Sequence, residues 1–244
     1  MVDTKIDGLA GTLRQRLNKG EFGTSGRLPP FRELANQLHT TQETTNKVIH
    51  LLQSEGLLVV KGKSVYVNPV NFQMPAMVPH FDRYIESQGL VPISTFLEPP
   101  DLVSIPFVIA DKMGLDECTL VPHRLLRQGV QKGDTVVHVR LSENFYNPEL
   151  VKDEIFEGLR SNPQFDTLIA IKNKYGKAIE NISLDATSRL PTSNEQKLLE
   201  VVRGTPMMEF YRTSYTSDGL VVMVNKIVFV GHYVKLSVKM PISF

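Results

Sequence analysis

The sequence predicts an α+β chain in two parts, and three observations carry that reading. Over residues 6–56 apolar side chains recur at helical spacing, in three short runs punctuated by Gly and Pro. Beyond residue 80 the pattern becomes strand-like, with a few helical runs set between the strands. Between the two lies residues 68–80, NPVNFQMPAMVPH, which has three prolines and reads as a connecting segment.

Ile6, Leu9, Leu13 and Leu17 form one face of a first helix, which Gly20 and Gly23 end. Phe31, Leu34, Ala35 and Leu38 give a second helix, with Pro29 and Pro30 suited to its first turn. A third helix follows with Val48, Ile49 and Leu52 on its buried side. Thr41 is placed to cap its start and Gly56 its end. The run LLVV-KGKS-VYV is a β-hairpin. Three helices closed by a hairpin make a winged helix-turn-helix layout, a DNA-binding arrangement.

In the second part, residues 91–98 read as a strand, 105–115 as a helix and 118–128 as a strand. The KGD turn then makes a hairpin with TVVHVRLSEN. A helix is expected from Asn147–Pro148 through Leu159, and a shorter one ending near Gly176. KAIENISLDATSRL is a strand, and Thr192 with Glu195 forms a capping box ahead of KLLEVV. Two strands around Ser217-Asp218-Gly219 and a last strand over residues 233–240 complete a largely antiparallel sheet with helices against it.

Composition narrows the function. The chain of 244 residues is 41% hydrophobic and 22% charged, within the globular range. No apolar run reaches the roughly 18–20 residues of a membrane span. The N-terminus lacks a secretory layout and Cys118 is the lone cysteine, so a reducing cytoplasm is the expected setting. Residues 1–70 hold nine Lys/Arg against six Asp/Glu, and the remainder 18 against 20. The basic bias of the first part suits nucleic acid. His39, His50, His80, His123, His138 and His232 show no HExxH or HxxH spacing, and neither GxSxG nor a P-loop occurs. No metal, no cofactor and no catalytic residue is therefore expected.

Residues 6–67 resemble the winged-helix domain of the GntR family of bacterial transcription regulators. The carrying residues are Gly20, Gly26-Arg27-Leu28-Pro29-Pro30, Arg32-Glu33-Leu34-Ala35, Leu38, Leu51-Leu52, Glu55-Gly56-Leu57-Leu58 and Val67. Residues from about 80 onward resemble the UTRA effector domain of the HutC subfamily, with a chorismate-lyase-like fold. The matching pieces are Gly89-Leu-Val-Pro, Pro106, Met113-Gly-Leu, Arg124, Tyr175-Gly176, Ile179, Leu198 to Gly204, Arg212 and Asp218-Gly219. The resemblance implies a DNA-binding domain at 1–68, a linker at 69–80 and an effector-binding and dimerisation domain at 81–244. It also implies a homodimer on double-stranded operator DNA, acting as a repressor under control of a small-molecule effector.

Carried over to this chain, the resemblance marks Arg32 on the second helix as a DNA contact. In the recognition helix it marks Thr41, Gln42, Thr44, Thr45, Asn46 and Lys47, and in the wing Lys61 and Lys63. Arg14, Arg16 and Arg27 add cations to the same side. Gln42 and Asn46 stand where the family carries basic residues, and Gln and Asn pair with adenine. The expected operator is thus richer in A·T, with a shallower salt slope. Glu43 accepts from cytosine or simply faces solvent. For the effector site the resemblance marks Phe81, Asp82, Arg124, Leu126, His138, Arg140, Met223, Asn225 and Phe229. Asp82 and Leu126 replace anion-binding positions, so the expected effector is not a sugar phosphate. Met223 and Phe229 suit a core equally well, and His138 with Arg140 suit a surface pair. A ligand-independent regulator or an interaction module is the alternative. Although the C-terminal fold class includes a lyase, no enzyme is expected.

Overall fold

The computed structural model describes residues 4–237 except positions 24, 71 and 79. Helices α1 (Thr4–Asn18), α2 (Phe31–Gln37) and α3 (Gln42–Ser54) precede strands β1 (Leu58–Lys61) and β2 (Ser64–Val67). Ala10 and Leu13 of α1, Leu34 of α2, and Val48, Ile49 and Leu52 of α3 fill one core. Ile6, Leu9 and Leu17 lie partly buried around it. Thr41 Oγ1 accepts from Thr44 N at 3.2 Å, the cap its position suggested. Pro29 and Pro30 stand just ahead of α2, with Pro30 in the capping position at ψ 147°. Gly56 ends α3 in the left-handed region, φ 76°.

The segment 68–80 is not a free linker. Val70, Phe72, Met74 and Ala76 are buried at every second position, a strand period that the prolines mask. β3 (Met74–Pro75) pairs in parallel with β11 (Val234–Lys235). The last strand expected over 233–240 is therefore short and pairs here, outside the large sheet. Residues 238–240 of that expectation lie outside the described residues.

The large sheet follows the order β4-β6-β7-β10-β9-β8, with β5 also on β6, all antiparallel. These strands are β4 (Val91–Phe96), β5 (Asp101–Ser104), β6 (Leu120–Lys132), β7 (Thr135–Tyr146), β8 (Asn181–Arg189), β9 (Met207–Tyr215) and β10 (Val221–Val230). Around it run α4 (Phe81–Ser87), α5 (Phe107–Met113), α6 (Glu154–Ser161), α7 (Thr167–Tyr175) and α8 (Ser193–Leu199). The capping box of α8 is present, with Thr192 and Glu195 satisfying each other's backbone N–H groups. The expected helix from Asn147 is split. Residues 147–151 make one turn, Asp153 takes φ 51°, and α6 begins only at Glu154. A left-handed residue breaks the i to i−4 ladder, so the helix restarts beyond it.

The winged domain is docked on the sheet domain. Lys61 Nζ donates to Asp134 O at 2.8 Å and to Thr135 Oγ1 at 2.9 Å. Asn68 Nδ2 donates to Gly56 O and to Tyr233 Oη, each at 2.7 Å. The ring of His232 lies against the bare Cα of Gly56. Burial pushes His232 down to about 4, and its Nδ1 has no partner among the described residues. A buried neutral His binds fewer protons than the unfolded chain below pH 6.5, so stability falls as pH drops through that range. Between pH 7 and pH 5 the loss is expected to be about 2 kcal/mol. Urea titrations at both pH values, repeated with His232→Gln, check it; an equal pH slope in the two proteins would refute the assignment.

Candidate functional site

Strand register brings together side chains far apart in sequence. Arg124 on β6 stands opposite Asn144 on β7, Asn144 opposite Asn225 on β10, and Asn225 opposite Arg212 on β9. Alternation puts all four on one face of the sheet, and a parallel row places Gln128 opposite Arg140 and Arg140 opposite Phe229. Arg124, Arg140, Asn144, Arg212 and Asn225 are all buried. The other face is apolar: Val121, Phe145 and Val224 pack under α5.

This polar face floors a cavity of about 330 Å³, walled by α4 and by residues 163–168 ahead of and within α7. Of the residues marked from sequence, Phe81, Asp82, Arg124, Leu126, Arg140, Met223 and Asn225 line it. His138 and Phe229 do not. A β-bulge between Gln128 and Gly129 makes β7 slip one residue, so His138 leaves the face that Arg140 occupies. His138 instead lines the cleft between the two domains, 3.9 Å from Glu200. Phe229 shares the face but lies in the hydrophobic core beneath Arg140. Arg212, Gln128, Ser142, Asn144 and Tyr146 also line the cavity and were not foreseen as site residues.

Each arginine is held differently. Arg124 Nη2 donates to Tyr146 Oη at 2.8 Å and Nη1 to Phe165 O at 3.2 Å. Arg212 donates to Asn225 Oδ1 and, at 2.7 Å, to Val78 O. Asn225 in turn donates to Asn144 Oδ1. Arg140 is sandwiched between rings, 4.4 Å from the Phe81 centroid and 5.1 Å from that of Phe229. Its Nε donates to Gln128 Oε1 at 2.8 Å, Gln128 donates to Ser94 Oγ at 2.9 Å, and Ser94 to Asp82 Oδ1 at 3.1 Å.

Among the described residues none of these three guanidiniums makes an ion pair. Burial and the like charge of Arg212 push Arg140 down to about 9, and burial takes Arg212 to about 10. Burial raises Asp82, only partly offset by the Ser94 hydrogen bond and Arg140. The cavity lining thus carries Arg83, Arg124, Arg140 and Arg212 against Asp82, Glu86 and Asp166, the last already paired with His80 and Arg83. The replacements at Asp82 and Leu126 suggested weaker anion affinity, but Arg140 on β7 and Arg212 on β9 bring two further buried guanidiniums to the same cavity.

On the winged domain, Arg32, Gln42, Asn46, Lys47 and Lys63 are exposed, as are Glu43 and His50. Thr44 is half-buried, its Oγ1 3.0 Å from that of Thr41, which is exposed. Thr45 is not available to DNA. It is fully buried and its Oγ1 donates to Thr41 O at 3.0 Å, because position 45 falls on the same helix face as Val48, Ile49 and Leu52. Lys61 is likewise turned away, held by the β6–β7 turn as described. Arg14 pairs with Glu55 and Arg16 with Glu21, while Arg27 donates to Ser64 Oγ at 3.0 Å.

A winged helix joined to a sheet domain with a polar cavity defines a transcription regulator with an effector domain. Residues 5–67 match the family described as bacterial regulatory proteins, gntR family, and residues 101–235 match the UTRA domain. The chain belongs to the UTRA family, with a GntR-type DNA-binding domain ahead of it. It is 22% identical over 232 residues to an uncharacterized HTH-type transcriptional regulator of Streptomyces coelicolor, covering 88% of this chain and 84% of that one. PhnF from Mycobacterium smegmatis has a similar fold, with TM-score 0.61 and 19% identity over 96% of this chain and all of that one. YydK from Bacillus subtilis gives TM-score 0.55 and 14% identity, covering 97% and 99%. Among the described residues no helix is long and apolar enough to cross a membrane.

Proposed function

We propose that this chain is a cytoplasmic repressor, without enzymatic activity, that binds operator DNA as a homodimer and responds to a small organic anion. The observation that carries the effector reading is the trio of buried arginines around one cavity, none of them in an ion pair among the described residues. A buried cation without an anionic partner is costly, and an anionic ligand supplies the missing partner. A carboxylate suits the site better than a sugar phosphate, because Asp82 opposes a second negative charge beside Arg140. A cavity of about 330 Å³ holds a metabolite of modest size.

Thermal-shift titration against matched carboxylates and sugar phosphates tests this. Carboxylates are expected to raise the melting midpoint and sugar phosphates not to; a shift by neither set would sink the effector reading. On the DNA side, Arg32 and Lys63 are exposed cations, Lys47 is exposed beside Glu43, and Gln42 and Asn46 present amides for adenine. Gel retardation of the duplex upstream of the gene tests that half. Arg32→Ala is expected to weaken binding about tenfold and to make the salt slope shallower by about one. An unchanged slope would place Arg32 away from phosphate.

A further inference from the structure

The exposed side of α3 carries Gln42, Glu43, Asn46, Lys47 and His50. Its two charged residues face each other: Lys47 Nζ lies 2.9 Å from Glu43 Oε1, one helical turn apart in the favourable order of Glu before Lys. Both side chains remain open to solvent, at 79% for Glu43 and 58% for Lys47. Glu43 also sits in the first turn of the helix, where the unpaired N–H groups give a positive end that draws phosphate. One carboxylate thus offsets both the lysine and the helix end. The same pattern recurs nearby, where Arg14 and Arg16 are matched by Glu55 and Glu21. The Lys47 hydrogen bond holds the Glu43 carboxyl below its usual range, so it stays charged at neutral pH.

We propose that Glu43 is a specificity-determining residue that suppresses sequence-independent DNA binding. By holding Lys47 and offsetting the helix end, it leaves α3 with little attraction for phosphate, so this helix contributes through base edges read by Gln42 and Asn46. Non-specific affinity is almost wholly phosphate contact, whereas specific affinity adds base contact. Neutralising the recognition helix therefore lowers the first more than the second and widens their ratio. This inference rests on the DNA-binding reading above.

The test is anisotropy of the full chain with a labelled random-sequence duplex and with the upstream duplex, from about 50 to 300 mM salt. Glu43→Gln is expected to bind the random duplex about eightfold more tightly near 100 mM salt, with a log–log slope steeper by about one. Glu43→Gln with Lys47→Gln should return both to the wild-type values. A Glu43→Gln slope equal to or shallower than wild type overturns the proposal, as does a selective loss of affinity for the upstream duplex, which would make Glu43 a base reader. If wild type and both variants bind no duplex even at the lowest salt, the DNA-binding reading itself fails and takes this inference with it.

Discussion

Arg140→Met is expected to leave the chain as stable or more stable, by about 1 kcal/mol, while abolishing its response to the effector. The guanidinium is buried between the rings of Phe81 and Phe229 with Gln128 Oε1 as its hydrogen-bond partner and no carboxylate in ion-pair range among the described residues. Its charge is disfavoured there, as its depressed pKa of about 9 reflects. A thioether fills the same slot and packs well on aromatic rings. The opposing cost is an unsatisfied Gln128 oxygen, about 1 kcal/mol, which keeps the net gain small. For the ligand the sign reverses. Losing a buried charged partner costs roughly 2–5 kcal/mol of affinity, at least thirtyfold. Urea denaturation and thermal-shift titration on one preparation check both halves. A variant that is destabilised by several kcal/mol, or that still responds to the carboxylate, would show Arg140 to be structural.

Gly56→Ala is expected to be strongly disruptive for so small a change. The residue holds φ 76°, where an L side chain is strained by about 1–2 kcal/mol. A Cβ there would also come within 2.5 Å of Cγ and Nε2 of the His232 ring. The ring is half-buried in the interdomain contact and cannot swing aside without leaving it, so the winged domain must lift from the sheet domain. The expected loss is about 3 kcal/mol or more, read as a lower urea midpoint. His232→Ala in the same chain removes the collision but not the backbone strain. A double-mutant cycle should therefore show coupling above about 1 kcal/mol. Strict additivity of the two changes would mean that the contact carries no strain.

The two domains were unequally legible. Helix spacing and turn residues disclosed the winged domain nearly to the residue, with Thr41 and Gly56 in their expected capping places. The linear pattern placed the core on the Val48, Ile49 and Leu52 side of α3, and what it missed was that Thr45 belongs to that side. Thr45 is polar and so passes for a DNA contact, yet it hangs on the Val48–Leu52 face. In the sheet domain, seven of the nine residues marked by resemblance do line one cavity. The misses have one cause each. A bulge at Gln128/Gly129 reversed His138, and Phe229 lies beneath the arginine it supports.

Local chemistry by itself determined most of the element order, the main caps and turns, and the two-part α+β character, because those depend on side-chain period and backbone preference within a few residues. Even the buried alternation of Val70, Phe72, Met74 and Ala76 was present in the text, though prolines obscured it. Only the tertiary structure decided the charge of the cavity and the direction of Lys61. Arg124, Arg140 and Arg212 meet through strand register, across a sheet whose neighbours are β6, β7, β10 and β9, and Lys61 is claimed by a turn more than seventy residues away. Such pairings are set by long-range packing of whole strands and domains, and a local pattern carries no record of them.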